Sequence, residues 1–191
     1  MIEPFAVVVH AFKKVDIKQD TSVAIIGCGT EGLLSAAFAK YLGACVTAID
    51  INASKLELVG RLGDVRAVMP HEIHGETFDV VIEAAGTRKS FEQGLQLVSP
   101  GGEMILIGMT QEATIPVSQF VRNELSLYGS IIYNYPTDFV QSIEYLRDPK
   151  LNAHQIISQI VPFSRFNEAY ELALTGNYGK ILLNFKEARN V

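Results

Sequence analysis

Residues 23–32 read Val23-Ala24-Ile25-Ile26-Gly27-Cys28-Gly29-Thr30-Glu31-Gly32, a short apolar run that breaks into a G-x-G-x-x-G turn. A helical stretch follows, then a second apolar run from Val46 to Ile49, then Asp50. With 15 glycines in 191 residues, the spacing alone could arise by chance. The strand before it, the helix after it and an acid about 20 residues on make it the pattern of a dinucleotide-binding βαβ unit. Gly27 permits the tight turn, Gly29 lets a pyrophosphate approach the backbone, and Gly32 lets the helix pack on the strand. The helix then points its unpaired N–H groups and positive end at the phosphates. Thr30 and Glu31 lie on that path. The charge of Glu31 suits the helix dipole but would repel a pyrophosphate, so its side chain is expected to face solvent. Asp50 is placed to accept hydrogen bonds from both ribose hydroxyls of an adenosine.

Composition narrows the class. Apolar residues are 48% of the chain and charged residues only 19%, enough for a sizeable core and unlike a disordered chain. The length suits one domain with small additions at its ends. A net charge of −5 and the absence of a basic run argue against a nucleic-acid surface. No apolar stretch approaches the ~20 residues of a membrane span, and Met1-Ile2-Glu3-Pro4 does not read as a signal peptide. Two cysteines, Cys28 and Cys45, are too few for a disulfide framework, and a reducing cytoplasm is the default reading.

Strand-like and helix-like patterns alternate along the chain. Helices are expected over 5–14, 31–42, from Asn52 or Ser54 to about Gly63, 87–98, 117–123, 136–147 and 164–175, the last with Ser164 as an N-cap candidate. Strands are expected over 22–26, 45–49, 65–69, 78–82, 103–107, 125–132, 158–163 and 180–185. The strand runs are apolar throughout, as when both sheet faces are covered. This predicts an α/β fold: a doubly wound, parallel Rossmann sheet in the order 3-2-1-4-5-6. Its ligand would lie at the strands' carboxyl ends, between strand one and strand four.

Several stretches carry a resemblance: Ile2 to Ala11, the glycine turn with Ala48 to Asn52, Phe78 to Gly86, Gly101 to Gly108, Glu124 to Ser130, and Phe166 to Leu174. In order and spacing the chain resembles the C-terminal half of a medium-chain, zinc-dependent alcohol or polyol dehydrogenase, of the sorbitol, threonine and galactitol-phosphate branch. The resemblance implies a preceding GroES-like catalytic half that carries the catalytic zinc. Residues 1–20 and 151–191 then resemble segments that pack on that half, and 21–150 the NAD-binding domain. The chain is therefore expected to be a fragment, with Met1 an internal residue or an artificial start. The implied chemistry is oxidation of a secondary alcohol on a polyol, sugar or sugar phosphate. Zinc polarises the alcohol oxygen, and hydride passes to NAD.

The candidate residues follow. A carboxylate at Asp50 favours the two hydroxyls of NAD and repels the 2′-phosphate of NADP; the alternative is an ordinary turn acid. Lys55 matches a family position that contacts the same ribose, or is a solvated helix lysine. Ala84, Ala85 and Gly86, and then Ile107, Gly108 and Met109, are expected to bring backbone near the nicotinamide ribose. By resemblance, backbone around Ser130 and Ile131 holds the carboxamide. Plain strand-to-helix turns are the alternative for each. Glu3 matches the Glu of a Glu-Pro pair at the catalytic zinc, reachable only with the missing half. No residue in the chain is expected to be catalytic. His10 reads as structural, His71 and His74 as surface loop, Cys28 as filler and Cys45 as core.

Three other readings stay open. They are a stand-alone NAD(H)-binding redox sensor, the cofactor domain of a zinc-free NADPH-dependent reductase of the same superfamily, and, more weakly, another Rossmann class such as a methyltransferase. Expected partners are NAD(H), a polyol or alcohol substrate in the whole protein, and a second copy pairing through the edge strand at 125–132 in a dimer or tetramer.

Overall fold

The structure, a computed structural model, describes residues 1–186; the last part of the expected C-terminal segment, 187–191, lies outside the described residues. Among the described residues eight strands form: β1 (Ser22–Ile26), β2 (Cys45–Ile49), β3 (Arg66–Val68), β4 (Phe78–Glu83), β5 (Val98–Leu106), β6 (Ser126–Gly129), β7 (Ile157–Pro162) and β8 (Lys180–Asn184). Seven α-helices accompany them: α1 (Ile2–Phe12), α2 (Thr30–Tyr41), α3 (Ala53–Gly60), α4 (Arg88–Leu97), α5 (Val117–Arg122), α6 (Thr137–Arg147) and α7 (Phe166–Leu174). The main sheet has the order β3-β2-β1-β4-β5-β6 and every pairing in it is parallel. This is the order the sequence pattern predicts.

Side-chain alternation divides the core into two layers, one on each sheet face. Val23 and Ile25, Val46 and Ala48, and Val80 and Ile82 face a layer built with α1, α2 and α3. Ala24, Ile26, Ile49, Val81 and Met104 face a second layer that includes Phe91 and Leu95 of α4. In the first layer Phe5 of α1 meets Phe38 of α2 edge-on, with ring centroids 5.3 Å apart. Phe38 in turn meets Tyr145 of α6 at 4.8 Å. Such ring pairs add to the area they bury.

α1 also meets α6 through a buried acid. Asp138 is completely buried; it accepts hydrogen bonds from His10 Nδ1 at 2.9 Å, from Lys13 Nζ and from Asn134 N–H at 2.6 Å. Burial pushes its pKa up, but the bonds from Lys13 and Asn134 outweigh that and hold it below the ordinary carboxylate range. His10 thus has a packing partner.

The chain's end forms a second, smaller sheet in which β7 and β8 pair in parallel around α7. It is latched to the main domain. Asn52 Nδ2 donates to Asn177 Oδ1 at 3.0 Å, and Lys55 Nζ donates to the Tyr178 carbonyl.

Some elements differ from the sequence expectation. α7 starts at Phe166 after a 3₁₀ turn over Phe163–Arg165, so Ser164 does not cap it. β5 begins at Val98 rather than 103, because a register shift opposite Phe78 and Val80 absorbs the Ser99-Pro100-Gly101-Gly102 run. β6 is shorter than 125–132. Cys45 is exposed at the first position of β2, before the strand enters the core, which corrects its reading as a core residue.

Candidate functional site

The site lies at the carboxyl ends of β1, β2 and β4, where the sheet's strand order reverses. β1 ends at Ile26 and the chain turns through Gly27, whose φ is +92° and whose N–H donates to the Ile49 carbonyl at 2.8 Å. A Cβ at Gly27 would stand 2.7 Å from Ala85 N, so glycine is required by conformation and by the approach of the β4 turn. Gly29 is the N-cap residue of α2 and faces open space. A Cβ at Gly32 would overlap the Gly27 carbonyl oxygen, which ties the first turn of α2 to the strand-end turn. Thr30 and Glu31 open α2, both half-buried, and the Thr30 hydroxyl lies 3.5 Å from the Gly179 carbonyl.

Asp50 follows β2 and points back at the turn. Its Oδ2 accepts the Cys28 N–H at 2.6 Å and its Oδ1 accepts the Asn52 N–H at 2.8 Å. Asn52 caps α3, accepting from Ser54 N–H at 2.9 Å. Burial pushes the Cys28 thiol up to about 12, Asp50 adds to the rise, and Lys55 opposes it. Cys28 therefore stays a neutral thiol near neutral pH and fills space under the turn. Lys55 is half-buried, and burial lowers its pKa against the pull of Asp50. Its ammonium holds the Tyr178 carbonyl, so the chain's end takes a donor that the resemblance assigns to the ribose.

A cleft of about 470 Å³ opens beside Asp50, lined by Gly27, Asp50, Ala85 and Ser90, with Met69 and His71 on one rim and Lys89 and Gln93 on the other. His71 is exposed on the 3₁₀ turn after β3, in keeping with its surface reading, and also lines this cleft; Met69, Lys89 and Gln93 are lining residues not picked out from the sequence. The only sequence signal for that rim was Pro70, which opens the 3₁₀ turn over Pro70–Glu72. His74 is exposed.

Beyond the cleft, Ala84, Ala85 and Gly86 leave β4, and Ile107, Gly108 and Met109 leave β5. The two turns touch: a Cβ at Gly86 would stand 3.1 Å from Met109 N. Ser130 follows β6, donating its N–H to the Leu106 carbonyl at 2.9 Å while its buried hydroxyl has no partner. Ile131 and Met109 are largely exposed. Sequence reasoning passed over Glu83, the last residue of β4. It is a fully buried acid whose side chain anchors the turn after it. An acid closing an apolar strand was the available signal.

Glu3 lies exposed in the first turn of α1, and among the described residues no group of three or more His, Cys, Asp or Glu side chains comes together. A single exposed carboxylate does not hold zinc. The described residues do not make a metal site, and zinc ligation would need donors besides them. Among the described residues no helix is long and apolar enough to cross a membrane.

The sheet order, the glycine turn at its switch point and an acid after β2 define a dinucleotide-binding α/β domain. Residues 32–148 match the family described as zinc-binding dehydrogenase, and the chain belongs to that family. It is 27% identical to D-xylulose reductase A of Aspergillus oryzae over 199 residues, covering 96% of this chain and 55% of that protein. L-idonate 5-dehydrogenase from Escherichia coli superposes with a TM-score of 0.85 at 27% identity, covering 96% of this chain and 56% of that one. A zinc-binding dehydrogenase from Sinorhizobium meliloti, bound to NADP, superposes with a TM-score of 0.84 at 25% identity, covering 95% and 57%. The chain thus spans little more than half the length of these relatives.

Proposed function

We propose that this chain is the NAD(H)-binding half of a zinc-dependent dehydrogenase that oxidises a secondary alcohol of a polyol, sugar or sugar phosphate. Residues 21–150 form the cofactor domain, and 1–20 and 151–191 are segments that pack on a catalytic half. The observation that carries the reading is the glycine turn fixed against Asp50 at the switch point. Gly27, Gly29, Thr30 and Gly32 would hold the pyrophosphate, and Asp50 the adenosine ribose. The 84–86 and 107–109 turns, with Ser130 and Ile131, would receive the nicotinamide. When bound, NAD supplies the hydride acceptor. The chain's own groups bind and orient it; none of them is a general base for the alcohol.

Asp50 supports NAD over NADP, because a carboxylate repels a 2′-phosphate. The NADP carried by the S. meliloti neighbour makes this preference a point to measure. The substrate class is supported by the sugar and sugar-acid names of the relatives. A reducing cytoplasm fits the two free cysteines. Self-association through the β6 edge fits its exposed flank, Ile131, Ile132 and Tyr135.

The test is a binding and turnover experiment on this polypeptide with NAD, zinc and a panel of polyols. Saturable cofactor binding without formation of reduced nicotinamide is expected. Steady turnover would contradict the division of labour, and absent binding would contradict the cofactor role.

A further inference from the structure

Glu83 combines three observations. It is fully buried at the carboxyl end of β4, between Ile26 of β1 and Leu106 of β5 in the sheet register. Its Oε1 accepts three hydrogen bonds, from Ala85 N–H, Gly86 N–H and Ser90 Oγ, each 2.8 Å long. Its main-chain carbonyl accepts two more, from Ile107 N–H at 2.9 Å and Gly108 N–H at 3.0 Å. One residue therefore holds both turns that flank the nicotinamide side of the cleft.

The remaining oxygen makes the case for function over packing. Oε2 is buried with no hydrogen-bond partner. Burying a carboxyl oxygen without a donor costs stability, and an apolar side chain of similar size would avoid that cost. What an apolar residue could not do is collect the N–H groups of 85 and 86 on one acceptor. That grip fixes Gly86 at φ +69° and brings it against the backbone of Met109. Gly108 completes the fit, since a Cβ there would overlap both Gly86 N and Glu83 Oε2.

We propose that Glu83 is a positioning residue: its carboxyl group and carbonyl together set the 84–86 and 107–109 turns in the form that receives the nicotinamide half of the cofactor. This rests on the NAD(H)-binding reading above. Glu83 stands behind the turns and acts through their backbone. Its loss should therefore weaken ligands that carry a nicotinamide more than ADP, which would meet the 84–86 turn only at Ala85, beside Gly27, and would not reach the 107–109 turn.

The experiment compares the whole chain with Glu83→Ala, Glu83→Asp and Glu83→Gln. Each is titrated with ADP by calorimetry and with NADH by the emission of its bound nicotinamide. Glu83→Ala and Glu83→Asp, the second keeping the carboxyl group but losing reach, should each weaken NADH about tenfold and leave ADP within about twofold, the scale of a lost hydrogen bond or two. Bound NADH should lose its emission shift in both. Glu83→Gln keeps the acceptor and should stay within about threefold for NADH. If Glu83→Ala does not fold, the Asp and Gln pair carries the same comparison. Equal losses of ADP and NADH, or unchanged NADH binding by Glu83→Asp, would overturn the proposal and leave the cofactor reading standing. A wild-type chain that binds neither ligand would overturn both.

Discussion

Each oxygen of Asp50 accepts one backbone N–H, from Cys28 and from Asn52. Each keeps a further lone pair for a ribose hydroxyl. The same carboxylate thus shapes the glycine turn and, in the proposed role, would read the cofactor. Asp50→Ser should lower NADH affinity about tenfold, as expected for losing charge-assisted bonds, and should narrow the gap between NADH and NADPH by removing the repulsion. Paired fluorescence titrations check this; an unchanged ratio of the two affinities would remove Asp50 from cofactor selection. At this scale the sequence was informative where a residue's task is set by its neighbours in the chain. Gly27, Gly29 and Gly32 were legible from their spacing read with the strand before them, the helix after them and the acid about 20 residues on. Lys55 was picked out but its partner was not, because Tyr178 comes from the far end of the chain. Glu83 was passed over although its side-chain partners, Ala85, Gly86 and Ser90, follow it closely in sequence, because the pattern does not show that its carboxyl group is buried.

Among the elements, the α1–α6 contact has the clearest energetic signature. Asp138 is buried with His10 and Lys13 on one side and the Asn134 N–H on the other. Removing its charge leaves those donors poorly matched, at a cost of about 2 kcal/mol for a partly exposed lysine and a buried acid. The sign with pH follows from the lowered pKa of folded Asp138. Its contribution is full above the unfolded carboxylate value near ~3.9 and fades as pH falls through the lower folded value. Thermal melting of the wild type and of Asp138→Asn should differ most at neutral pH and converge in acid. A constant difference across that range would show that the carboxylate's ionisation is not the cause. Element boundaries were readable wherever periodicity and punctuation agree, as in β1, β2 and α2. They failed where tertiary pairing overrides punctuation. The Pro100-Gly101-Gly102 run signals a turn, yet the sheet takes it into β5 through a bulge. Ser164 suggests a cap, yet the 3₁₀ turn over 163–165 starts the helix later.

For the molecule as a whole, the sheet order was legible because alternating, fully apolar strands admit few topologies. The cleft's far rim was not, since His71 and Lys89 line one cleft only once the turn after β3 and the start of α4 are brought to it by the fold. β6 is an edge strand with Ile131, Ile132 and Tyr135 exposed beside it, and an uncovered edge of that kind favours pairing with a second copy. Light scattering should report a dimer, and Tyr135→Lys, at an exposed position of that flank, should shift it to monomer with NADH binding intact. A wild-type monomer at high concentration would contradict the pairing. The glycine turn and Asp50 are proposed to form an NAD(H) site. Calorimetric titration of the chain with NADH and, separately, with NADPH tests it most directly. Saturable NADH binding, with NADPH about tenfold weaker or more from the repelled 2′-phosphate, is the expected result. Failure of NADH to bind, or a preference for NADPH, would contradict the account.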